Sequence, residues 1–429
     1  MNLRPPKLPD EPPPGPARPG FWKSPLRGPW LSSFLGSALL PLIVICALTG
    51  FLSQLAYSPD LGDNNILPAG GLGFDIFPFS WPTDPAWLYA LTQGLHVVSG
   101  VVAIPLLFAK LWSVMPKLFE WPPLRSVSHM FERISLAFLV GGALFVFFTG
   151  VMNIQLYYPW NFSFVPSHYY AAIVFLAALA LHVGLKIPTI RTAFRERGVV
   201  RPLNDDLAHT VAEPCREGST APLEPDAATM SRRALIAGVG AASIGIGAMM
   251  AGQVIGGPLR SIALLAPHGT NPGDGPNGFQ INKTADAVGI GAAETGASWR
   301  LSVEGRRALK LSRDQLLAMP QHTYELPIAC VEGWSTTQTW TGVRLRDLAE
   351  SAGAPGASQV LVESLQEAGS FRKATLSGAQ IDNEKSLLAL RVNGVDLSLD
   401  HGFPARVIVP ALPGVHCTKW VGSMKFEVA

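Results

Sequence analysis

The sequence predicts a membrane α-helical bundle of five transmembrane helices followed by a separate α+β domain. Three observations carry that reading: five long apolar stretches without Asp, Glu, Lys or Arg, a one-sided distribution of Lys and Arg between them, and mixed strand and helix patterns after about residue 280. The chain has 429 residues, 48% hydrophobic and only 15% charged, with mean hydropathy +0.26. Soluble proteins carry about a quarter charged residues, so this deficit excludes a disordered chain and argues against a wholly soluble enzyme. A net charge of +2 excludes nucleic-acid binding driven by bulk charge. Four cysteines, none in a CxxC, exclude a disulfide scaffold, a zinc ribbon and a typical iron–sulfur cluster.

A membrane helix needs roughly 20 apolar residues. Leu31–Tyr57, Trp87–Ala109, Ile134–Leu156 and His168–Leu185 meet that need, and Ala234–Leu259 adds a fifth, Gly/Ala-rich span. Basic residues cluster before the first span (Arg4 to Arg27), between the second and third (Lys110 to Arg133) and between the fourth and fifth (Lys186 to Arg233). Ser58–Ala86 and Tyr157–Ser167 contain none. The positive-inside rule then puts the N-terminus inside, in the cytoplasm, and everything after Leu259 outside. Residues 1–30, rich in Pro, read as a disordered cytoplasmic tail, and 191–233 as a polar cytoplasmic linker. That linker ends in Ser231-Arg232-Arg233-Ala234-Leu235-Ile236. The pattern resembles a twin-arginine (Tat) export signal inside the chain, which implies the Tat machinery as a partner and a cofactor downstream. Two arginines that simply anchor the cytoplasmic end of a helix are the alternative.

An ionisable residue inside a span is a functional hypothesis. His96 lies in the second span, and His168 and His182 in the fourth. Fourteen helical residues advance about 21 Å and return to within about 40° of the same face. That interval suits b-type haem near each leaflet, with imidazole as axial ligand. Depth pairs His96 with His168 for an outer haem and His182 with His129 for an inner one. Residues 31–190 resemble the di-haem cytochrome b subunits of quinone-linked oxidoreductases, implying the quinone pool as electron partner. Those families place the inner haem's other ligand on the first span, which has no His here, so one or two haems fit.

Residues 260–279 read as a linker and 280–429 as the external domain. Trp299–Gly305, Tyr324–Val331, Gln359–Leu365 and Arg406–Pro410 have strand character, and Ser312–Met319 reads as a short helix. Within it, Pro327-Ile328-Ala329-Cys330-Val331-Glu332-Gly333-Trp334 describes a strand that ends in Cys and runs into a turn with Gly and two tryptophans, Trp334 and Trp340. His401-Gly402-Phe403-Pro404-Ala405-Arg406 and Lys419-Trp420 follow.

These motifs resemble the sulfite oxidase family of molybdenum enzymes, over about Gln280–Val428. The resemblance implies a molybdopterin-binding domain in which Cys330 supplies its thiolate to molybdenum, a soft ligand for that metal. It implies that His401, Arg406 and Lys419 hold the pterin and its phosphate, with Asn282 and Lys283 as further contacts. Cys417, His322 and His416 read as incidental. Sulfite oxidases follow the ligand cysteine with arginines, whereas here the next is Arg344. Cys-Val-Glu-x-Trp is more similar to the catalytic subunit of the bacterial periplasmic methionine-sulfoxide reductase. No dimerisation domain is expected after Ala429.

The expectation is a single-chain, membrane-anchored molybdopterin-dependent oxidoreductase. It would carry electrons from quinol or another membrane donor through haem to molybdenum and reduce a sulfoxide-like substrate, with Glu332 and Trp334 shaping the pocket. Two alternatives stay open: oxidation of a sulfite-like substrate feeding quinone, and a non-catalytic sensor or assembly protein that keeps the fold.

Overall fold

The computed structural model describes residues 11–57, 81–122, 127–216, 219–369 and 371–428. The side chains of 127–129 and 132 lie outside that description, and so does most of the expected Ser58–Ala86 connection.

Five described helices are long and apolar enough to cross a membrane: α1 Pro29–Tyr57, α2 Leu88–Leu118, α3 Val127–Ile154, α4 Phe164–Arg197 and α5 Arg232–Ile255. Many of their large apolar side chains face outward, Leu48, Phe108, Phe138, Phe148, Leu185 and Ile244 among them. Two helices run on past the C-terminal ends of their charge-free stretches. α2 continues past Lys110 to Leu118, and α4 runs from Phe164 to Arg197 instead of ending at Leu185. A charge limits only the lipid-embedded part of a helix, because long basic side chains reach outward while the backbone goes on bonding to itself.

The contacts divide the chain into two units. One comprises Met1–Ile45, Ser99–Val151 and Ser167–Gly247. Its core packs Leu39, Ile43, Ala103, Leu107, Ala143 and Phe175 together. Two expectations need correction here. Residues 24–30, expected within a disordered tail, are ordered: Leu26 and Trp30 are buried, and Arg27 stacks over Trp112 at 4.2 Å. The segment 191–233 is not a featureless linker either, since 191–197 belong to α4. Glu213 accepts hydrogen bonds from the Trp30 backbone N–H at 3.1 Å to each carboxylate oxygen. A carboxylate thus caps the otherwise unsatisfied N-terminus of α1. Arg232 is fully buried and donates to the carbonyls of Pro25 (3.0 Å) and Val211 (2.6 Å), while Arg233 is exposed.

The other unit comprises Cys46–Val98, Met152–Pro166 and Ala248–Ala429. It holds one end of α1 and of α2, the last residues of α3 and α5, and a sheet-rich domain with the short helices α6 Ala292–Thr295, α7 Arg313–Ala318, α8 Leu345–Ser351 and α9 Gly378–Asp382. The strands are β1 Leu301–Glu304, β2 Ala308–Leu311, β3 His322–Ala329, β4 Ser335–Arg344, β5 Gln359–Ser364, β6 Lys373–Ser377, β7 Leu387–Val392, β8 Val395–Asp396, β9 Arg406–Ile408 and β10 Val421–Glu427. One sheet runs β2-β1-β10-β5-β6, and the other runs β3-β4-β7-β8 with β9 also on β7. β1 and β10 pair in parallel, which joins the start of the domain to its end. A core including Leu301, Val343, Leu348, Val360, Leu388, Val407 and Met424 fills the fold.

Trp340, expected in a turn, instead lies inside β4 and is fully buried, its Nε1 donating to the Leu326 carbonyl at 3.2 Å. Pairing on both edges, with β3 and β7, holds the Thr-rich segment extended.

Candidate functional site

β3 and β4 pair until Ala329 meets Ser335, and Cys330–Trp334 closes the hairpin between them. The Cys330 N–H donates to the Trp334 carbonyl at 2.9 Å, and the Gly333 N–H to the Cys330 carbonyl at 3.0 Å. Gly333 sits at φ +89°, where a Cβ is strained. The thiol is thus held at the end of a sheet by a tight turn. Burial pushes the Cys330 thiol well above its usual range, and the neighbouring Glu332 carboxylate adds to this. A metal cation displaces such a proton where bulk water does not.

Cys330 opens on a small cleft that is also lined by Asn282, Trp334, His401, Arg406 and Lys419. Six of the expected site residues therefore converge from positions 137 residues apart in sequence. A short 3-10 turn, Leu399–His401, presents His401. Its Nδ1 meets Ser398 Oγ at 2.8 Å and its Nε2 the Phe279 carbonyl at 3.3 Å. β9 begins with Arg406, whose guanidinium donates to the carbonyls of Cys417 (3.2 Å) and His401 (3.3 Å). Lys419 Nζ donates to the carbonyls of Lys283 (2.5 Å) and Asp400 (3.0 Å). Gly402, at φ +110°, lets these bases crowd together: a Cβ there would lie 3.1 Å from that of Lys419 and 3.2 Å from that of Arg406.

This crowding is costly without a counter-charge. Burial and the adjacent Arg406 and Lys419 bring His401 down to about 4. Burial and then Arg406 bring Lys419 down to about 7, and burial brings Arg406 down to about 10. Among the described residues no carboxylate forms an ion pair with Arg406 or Lys419, and Asp400 Oδ1 is taken up by the Ala285 N–H at 2.8 Å. Three buried basic groups beside a buried thiol form a cradle for a polyanion that also ligates a soft metal. A pterin dithiolene phosphate has that chemistry, and the residues present fit it.

Two expected residues stand elsewhere. Glu332 is buried but does not line the cleft; it accepts from Trp334 Nε1 at 2.8 Å and meets His268 Nε2 at 3.5 Å. Lys283 contributes its carbonyl to Lys419, while its side chain is absent from the cleft lining. Arg344 pairs with Asp347 at 2.9 Å, away from the cleft lining. His416 and Cys417 are buried, and His416 Nε2 meets the Tyr57 carbonyl at 2.9 Å. His322 lies 3.5 Å from Asp347. Sequence reasoning missed Phe279, Gln280 and Asp400, which also line the cleft; the Gln280-Ile281-Asn282 run beside an expected contact was the available signal.

The helix histidines divide between the two units. His96 is half-buried on α2, its Nδ1 bonded to the Cys46 carbonyl on α1 at 2.8 Å. A Cβ on Gly50 would lie 2.8 Å from that ring, so glycine makes room for the imidazole. A carbonyl on one ring nitrogen fixes the tautomer in which the other is a ligand. In the other unit, His168 Nδ1 meets Thr149 Oγ1 at 3.0 Å, and His168 and His182 share the single helix α4. The His129 side chain lies outside the described residues.

Residues 289–428 match the family model of the oxidoreductase molybdopterin binding domain. Among curated proteins the chain is 32% identical over 162 residues to mitochondrial sulfite oxidase of Mus musculus, covering 30% of this chain and 29% of that protein. It is 32% identical over 134 residues to the uncharacterized oxidoreductase YuiH of Bacillus subtilis, covering 30% of this chain and 65% of that protein. It is 34% identical over 110 residues to sulfite oxidase of Arabidopsis thaliana, covering 21% of this chain and 28% of that protein. The chain therefore spans under a third of the length of these sulfite oxidases. The sheet-rich region that builds the Cys330 cleft matches the molybdopterin-binding oxidoreductase domain and is similar to that of sulfite oxidases.

Proposed function

We propose that the protein is a membrane-anchored molybdopterin oxidoreductase that links a quinone-type membrane donor, through b-type haem, to an extracytoplasmic site at Cys330. The observation that carries this reading is the convergence of Cys330, His401, Arg406 and Lys419 on one cleft in a chain with five apolar helices. When bound, molybdopterin supplies a metal that exchanges an oxygen atom with substrate in two-electron steps. The protein's own residues do the rest. Arg406 and Lys419 neutralise the cofactor's anionic end, His401 stands beside them as a neutral hydrogen-bonding group, Cys330 offers a soft sulfur, and Trp334 walls the cleft with an aromatic face.

Reduction of a neutral, oxygen-bearing substrate such as a sulfoxide is the favoured direction. Glu332 lies two residues from the thiol, and the first arginine after it is Arg344. A dianion is poorly served by that charge pattern. A methionine-sulfoxide reductase relation belongs to the same reading. The names of the curated relatives favour a second reading, oxidation of a sulfite-like substrate with electrons passing to quinone.

His96 and His168 are the ligands assigned to an outer haem, His182 and His129 to an inner one, in a bacterial cell membrane with the N-terminus cytoplasmic. Ser231-Arg232-Arg233 acts as the signal by which the Tat machinery exports the C-terminal domain. The test is turnover by membranes given a reduced quinone analogue against sulfoxides, N-oxides and sulfite, alongside molybdenum and haem analysis of the purified chain. Sulfoxide-dependent quinol oxidation with both cofactors present is expected; a chain that folds without molybdenum and turns over nothing overturns the reading.

A further inference from the structure

The turn that carries the thiol is gripped by the helix that carries His96. Gln93 Nε2 on α2 donates to the Val331 carbonyl at 2.8 Å, and Asn153 Nδ2, in the last turn of α3, donates to the same oxygen at 3.2 Å. Val331 is joined by one peptide bond to Cys330. Both amides are buried, Gln93 at 4% and Asn153 at 5% exposure, so losing the shared acceptor would strand two amides away from water. Tyr158 OH donates to Asn153 Oδ1 at 3.0 Å and so fixes which way that amide points.

One helical turn beyond Gln93, on the same face, Val97 presses on the hairpin. A Cβ at Gly333 would lie 2.8 Å from Val97 Cγ1. His96 falls between these two contacts and turns its ring to Cys46 on α1. A single turn of α2, Gln93–Val97, thus holds the imidazole on one side and the thiol loop on the other. Such a hydrogen-bonded carbonyl is the arrangement by which outer residues orient a metal ligand.

We propose that Gln93 and Asn153 are positioning residues for Cys330, and that the Gln93–Val331 hydrogen bond couples the His96 turn to the thiol, mechanically and as the route for single electrons. The coupling rests on the proposed function; the clamp does not. Each reductive turnover breaks one substrate bond to oxygen and releases water, consuming two electrons and two protons. A quinol supplies the two electrons, becomes quinone and releases two protons. Electrons that enter at His96 reach the Cys330 sulfur through the Gln93 side chain, its hydrogen bond and the Val331–Cys330 peptide.

The test uses the full-length chain and Gln93→Met, which keeps side-chain length and loses the donor. Backbone amide exchange at Val331, Glu332 and Gly333 is expected to rise at least about tenfold, the measure of an opened local hydrogen-bonded turn. Quinol-driven turnover is expected to fall at least fivefold relative to turnover driven by a reduced viologen dye that feeds the metal directly, with haem absorbance and molybdenum content unchanged. Unchanged exchange overturns the clamp, and an equal fall with both donors overturns the electron route. Should Gln93→Met not fold, Gln93→Leu is read the same way, and Asn153→Ser, which leaves the Gln93 hydrogen bond in place, is read by amide exchange alone. A parent chain without haem or molybdenum refutes the proposed function, while the exchange measurement still decides the clamp.

Discussion

Glu332 and Trp334 are joined within the Cys330 turn, the indole N–H donating to the carboxylate at 2.8 Å. The carboxylate is thereby held beside the cleft rather than in its lining, where, on the proposed function, it would repel negative substrates without touching them. Glu332→Gln keeps an acceptor for the indole and removes the charge. Affinity for sulfite-like anions should rise roughly fivefold, equivalent to about 1 kcal/mol of relieved repulsion, while sulfoxide affinity stays level. Inhibition constants for both ligands at fixed pH check this.

Cys330 is 3% exposed, and its turn is held by backbone hydrogen bonds, so Cys330→Ser should fold normally. A hard hydroxyl is a poor ligand for a soft site, so turnover should drop at least about 100-fold, equivalent to about 2.7 kcal/mol of lost transition-state stabilisation. Pterin should be retained through Arg406 and Lys419. Pterin fluorescence after extraction, beside metal analysis, separates the two losses.

The crowded bases give the cofactor-free chain a pH signature. Lys419 is lowered to about 7 in the folded protein, against about 10.4 for an unperturbed lysine. Between those values the unfolded chain binds the extra proton, so stability should rise with pH from about 7 to about 10. Lys419→Met should flatten the rise, and a bound phosphate-like anion should shrink it. Thermal unfolding of metal-free protein across that range measures both.

Gly50 packs so tightly on His96 that Gly50→Ala places a methyl within 2.8 Å of the ring. The imidazole must shift, and if His96 ligates haem as proposed, reduced-minus-oxidised spectra should lose or move part of the haem signal. His96→Ala should remove that part, and His182→Ala the rest. Spectra unchanged in His96→Ala would remove it as a ligand.

Arg232 is buried against the Pro25 and Val211 carbonyls while Arg233 is exposed, so the two arginines separate export from packing. Arg233→Lys should leave packing intact and keep the C-terminal domain protected from external protease, with Arg232→Lys adding a stability loss of roughly 1 to 3 kcal/mol from its buried hydrogen bonds. Normal exposure of the domain in Arg233→Lys would end the export proposal.

Much of the site was legible because its chemistry is local. Cys330 with its Gly333 turn, the His401–Arg406 run and Lys419 each declare themselves by residue type and neighbours, and the cleft unites them. Glu332 misled, since adjacency to the thiol in sequence says nothing about which side of a hairpin a carboxylate takes. The hydrogen bond from Trp334 decided that.

By itself the sequence determined the five apolar helices, the single helix shared by His168 and His182, and the strand that ends at the thiol. These follow from hydropathy and short-range periodicity, which neighbouring residues settle among themselves. Only the tertiary structure decided that Glu213 caps α1 from far along the chain, that Trp340 lies in a strand paired on both edges, and that Gln93 and Asn153 grip the Val331 carbonyl. Each of those depends on a buried polar group finding its partner across a long separation, a match made by the packing and left unmarked in local pattern.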